Sequence, residues 1–382
     1  MLTLNLAGQA PYHLAGADQI PTPRLLIFHD RVERNLQKMR GDLEAIAPGS
    51  GFRHLCPHVK TNKSALITSV MRTGGITDFK VTMREVEVAL AAGAKNIFVA
   101  YPLLSHDART LARYVKAHPE TNFQVQIGSA AHAEILAAVA REEKITWHYF
   151  LDIDVGMRRT GMPAEQALPL FEEISPSSSF RFVGLHGYDG HNHSAQAGER
   201  REESQRSMAH LIELTRKFYA RKIHLPRLLA AGSPAYRFDL EILLREIPAE
   251  TLVQVSPGTW ILWDSNYEAL APGEFEIAAV ILAQVLEVSA SHRLTLNLGH
   301  KRWAVDQGPV QLFSRPDMKV VSFSEEHTVL EHSAQEKFEI GDYVLIAPRH
   351  VCPTVNLYET FSFIGARGEI EIASSPVDGR NR

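Results

Sequence analysis

Leu55-Cys56-Pro57-His58-Val59-Lys60-Thr61-Asn62-Lys63-Ser64 opens the longest regular pattern in the chain. An apolar approach ends in Lys60, and Thr61 then starts a helical pattern with Ala65, Leu66, Val70 and Met71 on one face. More strand-like segments follow at Ile76–Val81, Asn96–Ala100, Phe123–Gly128, Trp147–Leu151, Phe182–His186, Arg227–Ala231 and Leu252–Val255. Helical patterns separate them. Thr82-Met83-Arg84-Glu85 spells a capping box, Ser129 is placed to cap a helix through Ala140, and Arg200–Arg221 is a long amphipathic helix. Strand and helix alternating through short loops imply parallel strands with right-handed crossovers. Counting from Leu55 there are eight strands, the number that closes a (β/α)8 barrel.

The expected fold is therefore α/β, with a (β/α)8 TIM barrel over residues 30–265. After Trp263 the pattern changes to strands without long helices: Ile277–Val288, Arg293–Leu298, Trp303–Val305, Lys319–Phe323, Thr328–Glu331, Tyr343–Ile346, Val355–Tyr358 and Glu369–Ile372. These predict a C-terminal all-β domain. The early strand Arg24–Phe28, which precedes a helix from Asp30 to about Ala47, is a ninth strand and is expected to join it. The β-domain then comprises 1–29 and 266–382.

Composition narrows the function. Forty Lys and Arg against 44 Asp and Glu give a net charge of −4, which argues against bulk nucleic-acid or anionic-membrane binding. A hydrophobic share of 45% with 22% charged residues is that of a soluble globular protein. The longest apolar run, Ile277 to Val285, is too short to span a bilayer, and residues 1–23 hold no Lys or Arg to begin a signal peptide. Cys56 and Cys352 are too few for a disulfide scaffold, so a reducing cytoplasm is the expected compartment.

Barrels of this kind carry their chemistry at the C-terminal ends of the strands. Read in order, those ends give Lys60, Lys80, Tyr101, Asp152 to Gly161, His186 to His193, Ala231-Gly232-Ser233 and Ser256-Pro257-Gly258-Thr259. Glycine lets a backbone approach an anion closely, and Ser or Thr hydroxyls satisfy phosphate oxygens, so Gly232, Ser233, Ser256, Gly258 and Thr259 form a candidate phosphate site. A buried lysine is costly unless its charge is paired or removed, and condensation with an aldehyde removes it. A phosphorylated aldehyde that condenses with lysine is pyridoxal 5'-phosphate (PLP), with Lys60 as the catalytic, cofactor-binding lysine. Tyr188 is the candidate to pack on its ring. Arg158 or Arg159 is the candidate donor to its nitrogen; the alternative for both is a salt bridge to Asp152 or Asp154. Farther on, the strand Tyr343–Ile346 leads to His350-Val351-Cys352. In extended backbone His350 and Cys352 share a side, an arrangement open either to a zinc-type metal site or to a buried cysteine beside an unrelated histidine.

Several of these stretches resemble the D-threonine aldolase and eukaryotic-type D-serine dehydratase family. Pro57-His58-x-Lys60-Thr61-x-Lys63 is similar to its signature, with Asn62 where the family usually has histidine. Asp154-Val155-Gly156, Arg159-x-Gly161, Tyr188-x-Gly190-His191 and His350-x-Cys352 resemble further family segments, and the similarity runs from about Pro21 to about Ile364. The resemblance implies a PLP enzyme of the alanine racemase fold type, with His350 and Cys352 as ligands of a divalent metal, Zn²⁺ in the first place, with Mn²⁺ or Mg²⁺ as alternatives. It implies Glu325, Glu326 and His327 beside that metal, a homodimer, and small D-configured β-hydroxy amino acids as substrates. Cys352 matches the dehydratase members, whereas aldolase members carry His-x-Asp. The expected activity is dehydration of D-serine or D-3-hydroxyaspartate to a keto acid and ammonia. The alternative is retro-aldol cleavage to glycine and an aldehyde. A racemase, a non-catalytic PLP-binding protein, and a zinc hydrolase built on His186, His191 and His193 are more remote.

Overall fold

The computed structural model describes residues 1–289, 292–308, 314, 318–333 and 337–380. The chain forms two compact units, Arg40–Lys60 with Thr68–Gly258, and Met1–Met39 with Thr61–Ile67 and Thr259–Arg382. Among the described residues no helix is long and apolar enough to cross a membrane.

The first unit is the barrel. Parallel strands Asp78–Val81, Asn96–Val99, Asn122–Ile127, Trp147–Ile153, Phe180–Gly187, Arg227–Ala230 and Leu252–Val255 pair in sequence order as a seven-stranded sheet. Helices such as Ala130–Glu143 and Ala197–Ala220 alternate with them. The Leu55–Lys60 segment departs from the expected regular strand. It meets the sheet only through single parallel bridges, Leu55 to Val255 on one side and His58 to Lys80 on the other. Pro57 has no N–H to offer a ladder, although its carbonyl still accepts from the Lys80 N–H at 2.9 Å. Those two bridges touch both edges of the sheet and close the ring as an eighth stave. Directly after them Val59–Thr61 turns as a 3₁₀ helix, so Lys60 sits in that turn and not at a strand terminus.

Inward-facing Cys56, Phe98, Phe150, Val183 and Leu229 pack one layer of the interior, with the Phe98 and Phe150 rings 4.7 Å apart. Each buried aromatic of this kind contributes roughly 2–3 kcal/mol. Polar side chains lie beside this layer: the His186 ring meets Phe98 edge-on at 5.0 Å.

In the second unit, Ala279–Ser289 is the long central strand. Arg24–Phe28 runs antiparallel beside it and parallel to Thr360–Ile364, so the first regular strand of the sheet comes from the N-terminal segment. Lys319–Phe323, Thr328–Glu331 and Arg293–Leu296 extend one side, Ile370–Pro376 the other, and Tyr343–Ile346 pairs with Ala279–Ser289. Two expected strands are absent. Trp303–Val305 forms irregular backbone, and of the region read as Val355–Tyr358 the first two residues end a helix, Val351–Asn356, and the rest is turn and irregular. Asp264 explains the second difference. Its buried carboxylate accepts the Val351 N–H at 3.0 Å and the Tyr267 N–H at 2.9 Å, so a residue distant in sequence satisfies the helix start. Thr354 adds a side-chain bond to the His350 carbonyl at 2.8 Å. Strand propensity of the valines loses to this cap.

Candidate active site

At the barrel strand ends three cations gather on one aromatic ring. The Tyr188 ring centroid lies 5.6 Å from Lys60 Nζ, 5.1 Å from Lys80 Nζ and 5.2 Å from the Arg159 guanidinium. Two glycines make room for that ring: a Cβ on Gly190 would sit 2.3 Å from it, and one on Gly232 would sit 3.3 Å from it. Among the described residues neither Lys60 nor Arg159 pairs with a carboxylate. Asp154, one proposed partner of the arginines, instead accepts the backbone N–H groups of Gly156 and Arg158 and shapes their loop. Both arginines are exposed; Arg158 has a left-handed backbone (φ 53°), and Arg159 alone of the pair reaches Tyr188.

Behind Tyr188 runs a buried polar chain. Gln126 Nε2 donates to Asp152 Oδ2 at 3.0 Å, and Asp152 Oδ1 stands 2.7 Å from His186 Nδ1. A carboxylate only accepts, so Nδ1 carries the proton and Nε2 receives Lys80 Nζ at 2.8 Å. Lys80 also donates to Ser256 Oγ at 3.1 Å. Burial, and then the charge of Lys60, lowers Lys80 to about 7. Burial, and then Lys80, lowers His186 to about 4, although its bond to Asp152 opposes the shift. Asp152 is thus partner to a histidine and not to an arginine.

The loops after the last two barrel strands are tied together. Ser256 Oγ donates to the Ala231 carbonyl at 3.2 Å, and Gly258 N–H donates to Ser233 Oγ at 3.1 Å. Gly232 N–H is held by the buried Asp189 carboxylate at 2.8 Å. Both glycine N–H groups therefore serve the loop framework. Thr259 falls in the second unit, buried in the turn Thr259–Ile261 with its hydroxyl 3.8 Å from Cys352 Sγ.

In that second unit His350 precedes the helix Val351–Asn356, and Cys352 lies in its first turn, not in extended backbone. The two side chains still interact. Burial works against a charge on His350, but the bonds to Cys352 and to Asp306 outweigh it and raise the imidazole to about 9. Asp306 Oδ2 stands 2.6 Å from His350 Nδ1. The Thr61 hydroxyl is 3.1 Å from Cys352 Sγ. Among the described residues no three His, Cys, Asp or Glu side chains cluster as a metal cage. The donor chemistry nevertheless fits a divalent metal with open positions: an imidazole oriented by a carboxylate, and a thiolate steadied by a hydroxyl. Glu325 and Glu326 do not take that supporting place. They are exposed and pair with Lys301 at 2.7 and 2.9 Å.

The family model described as "Alanine racemase, N-terminal domain" matches residues 27–258. The chain belongs to that family. A second model, "Putative serine dehydratase domain", matches residues 278–364. Beside this alanine racemase-type barrel stand full-length relatives. The chain is 24% identical over 381 residues to a 3-hydroxy-D-aspartate aldolase of Paracoccus denitrificans (strain Pd 1222), covering 97% of this chain and 95% of the relative. It is 22% identical over 380 residues to a D-threo-3-hydroxyaspartate dehydratase of Delftia sp. (strain HT23), covering 92% and 96%. The crystal structure of D-threonine aldolase from Filomicrobium marinum superposes with a TM-score of 0.85 at 22% identity, over 100% of this chain and 98% of that one. A cysteine-to-alanine mutant of the D-threo-3-hydroxyaspartate dehydratase, in the metal-free form, superposes at 0.78 with 20% identity, over 94% and 97%. These likenesses establish the alanine racemase-like fold.

Sequence reasoning missed the grouping of Lys80, Asp152, His186 and Gln126, and it missed Asp306. A signal for the first existed: polar residues near the ends of otherwise apolar strands, with Asp152 and His186 falling opposite one another in the ladder. Nothing local marks Asp306.

Proposed function

We propose that this chain is a PLP- and metal-dependent lyase acting on D-3-hydroxy amino acids, and that it dehydrates a D-3-hydroxyaspartate- or D-serine-type substrate. The observation that carries the reading is the convergence of Lys60, Lys80 and Arg159 on Tyr188, while Asp152, the carboxylate acting on Lys80, is occupied by His186 and Gln126. Such an excess of positive charge around an aromatic platform suits a flat, phosphorylated ligand.

When bound, PLP supplies an electron sink for charge at Cα, and a divalent metal supplies a Lewis acid for a β-hydroxyl. The chain's own residues have distinct tasks. Lys60 would hold the cofactor aldehyde through Nζ and would accept or return a proton at that atom. Tyr188 packs on the ring, positioned by Gly190 and Gly232. Arg159, in preference to Arg158, donates to the ring nitrogen. Ser233 and Ser256, on loops where Gly232 and Gly258 let the backbone come close, would hold the phosphate. His350 and Cys352 hold the metal, with Asp306 fixing the imidazole tautomer.

Cys352 and the likeness to the Delftia dehydratase support dehydration, and that relative's cysteine mutant in a metal-free form supports the metal assignment. A second reading, aldol cleavage, is favoured by the Paracoccus aldolase and by the structural likeness to D-threonine aldolase. Products separate the two. D-threo-3-hydroxyaspartate should yield oxaloacetate and ammonia, and D-threonine should yield 2-oxobutanoate, followed by proton NMR. Glycine with glyoxylate or acetaldehyde would replace the dehydratase reading by the aldolase. Interconversion of D- and L-alanine with neither product would end both.

A further inference from the structure

Lys80 has no task in the reading above, yet it is the most enclosed cation of the site, 3% exposed. An ammonium carries three donors. One reaches His186 Nε2 at 2.8 Å, another Ser256 Oγ at 3.1 Å, and among the described residues nothing accepts the third. His186 adds no charge of its own, because Nδ1 donates to Asp152 and Nε2 is the acceptor for Lys80. Ser256 in turn donates to the Ala231 carbonyl, so Lys80 is linked through one hydroxyl to both loops that follow the last barrel strands. The charged and titratable groups facing Lys80 are Lys60, Arg159, Cys56, Asp152, His186 and Tyr188, the last through its ring. Burial pushes the Cys56 thiol up to about 12, leaving it neutral.

We propose that Lys80 is a positioning residue for an oxyanion at the 231–233 and 256–258 loops: anchored by His186 and Asp152, it fixes Ser256 and supplies the buried positive charge that a dianionic group meets there. The inference rests on the reading of those loops as the phosphate site. A linkage follows from it. Burial lowers Lys80 to about 7, so the side chain is charged below that pH and loses its proton above it. A bound dianion favours the charged form, and binding at higher pH must therefore take up a proton.

The test uses the full chain freed of cofactor, titrated calorimetrically with sulfate, which stays a dianion throughout the range. Two buffers of different ionisation heat report the protons exchanged. Wild type should take up a proton fraction at about pH 8 and none near pH 5.5, with affinity falling about tenfold across that interval. Lys80→Met should bind about tenfold more weakly at pH 5.5 and show neither uptake nor pH dependence, whereas Lys80→Arg should keep the affinity and lose the uptake. If the methionine variant does not fold, the wild-type pH series alone decides. Sulfate binding independent of pH without proton exchange, in a protein that still takes up PLP, overturns the role of Lys80 and leaves the site standing. A wild-type chain that takes up neither sulfate nor PLP overturns the phosphate reading and this inference with it.

Discussion

The two units hold their polar side chains under opposite conditions. In the barrel, Lys80, Asp152 and His186 are 3, 3 and 4% exposed and meet at 2.7 and 2.8 Å. In the β-unit, His350 and Asp306 also meet closely, at 2.6 Å, but their side chains are 32 and 47% exposed. Burial wins in the first case and lowers both Lys80 and His186. In the second, the hydrogen-bonded partners prevail over the smaller burial cost and raise His350 to about 9. The barrel trio is a preset electrostatic frame. The His350 pair is a proton-holding arrangement.

The comparison breaks most readily at Cys352. Cys352→Ala should lower lyase turnover by about a thousandfold while cofactor absorbance is retained, because only the metal loses a ligand. Near-wild-type turnover after exhaustive chelation would remove the metal from the account. Next in size is the Tyr188 platform. Gly190→Ala drives a Cβ into the ring, and Gly232→Leu crowds both Tyr188 and Asp189. Either variant should bind PLP about ten- to a hundredfold more weakly with only a modest change in melting temperature, measured by cofactor titration and calorimetry. Unchanged affinity in both would make these ordinary turns.

The smallest effect sharpens the barrel half. His186 has a folded value near 4 against an ordinary value of 6.5. The unfolded chain therefore binds more protons between those values, and stability falls as pH drops through 6.5 and levels off below about 4. About 3 kcal/mol of that loss should disappear in His186→Gln, read from urea midpoints at several pH values. An identical pH slope in the variant would show that His186 does not stay neutral.

Much of the barrel was legible because its cues are local. Leu252–Val255 is found where it was expected, Glu85 accepts the Thr82 N–H at 2.6 Å as the capping box requires, and Ser129 accepts from the His132 N–H at 3.3 Å. The site was legible as a set of strand ends, but not as a network. Asp152 meets His186 only because neighbouring strands align them, and Lys80 completes the chain from a third strand. The helix at Val351–Asn356 was hidden for a related reason, since its start is satisfied by Asp264, 87 positions away. Lys60 was singled out by type and position, whereas the 3₁₀ turn that carries it, just after two single bridges, was not foreseen.

The most direct measurement is the position of the cofactor on the chain. The purified protein should be yellow, absorbing at roughly 410–430 nm. After borohydride reduction and proteolysis, mass spectrometry should find the pyridoxyl group on Lys60 alone. A label on Lys80 or Lys63 instead, or a colourless protein that takes up no PLP, would contradict the account.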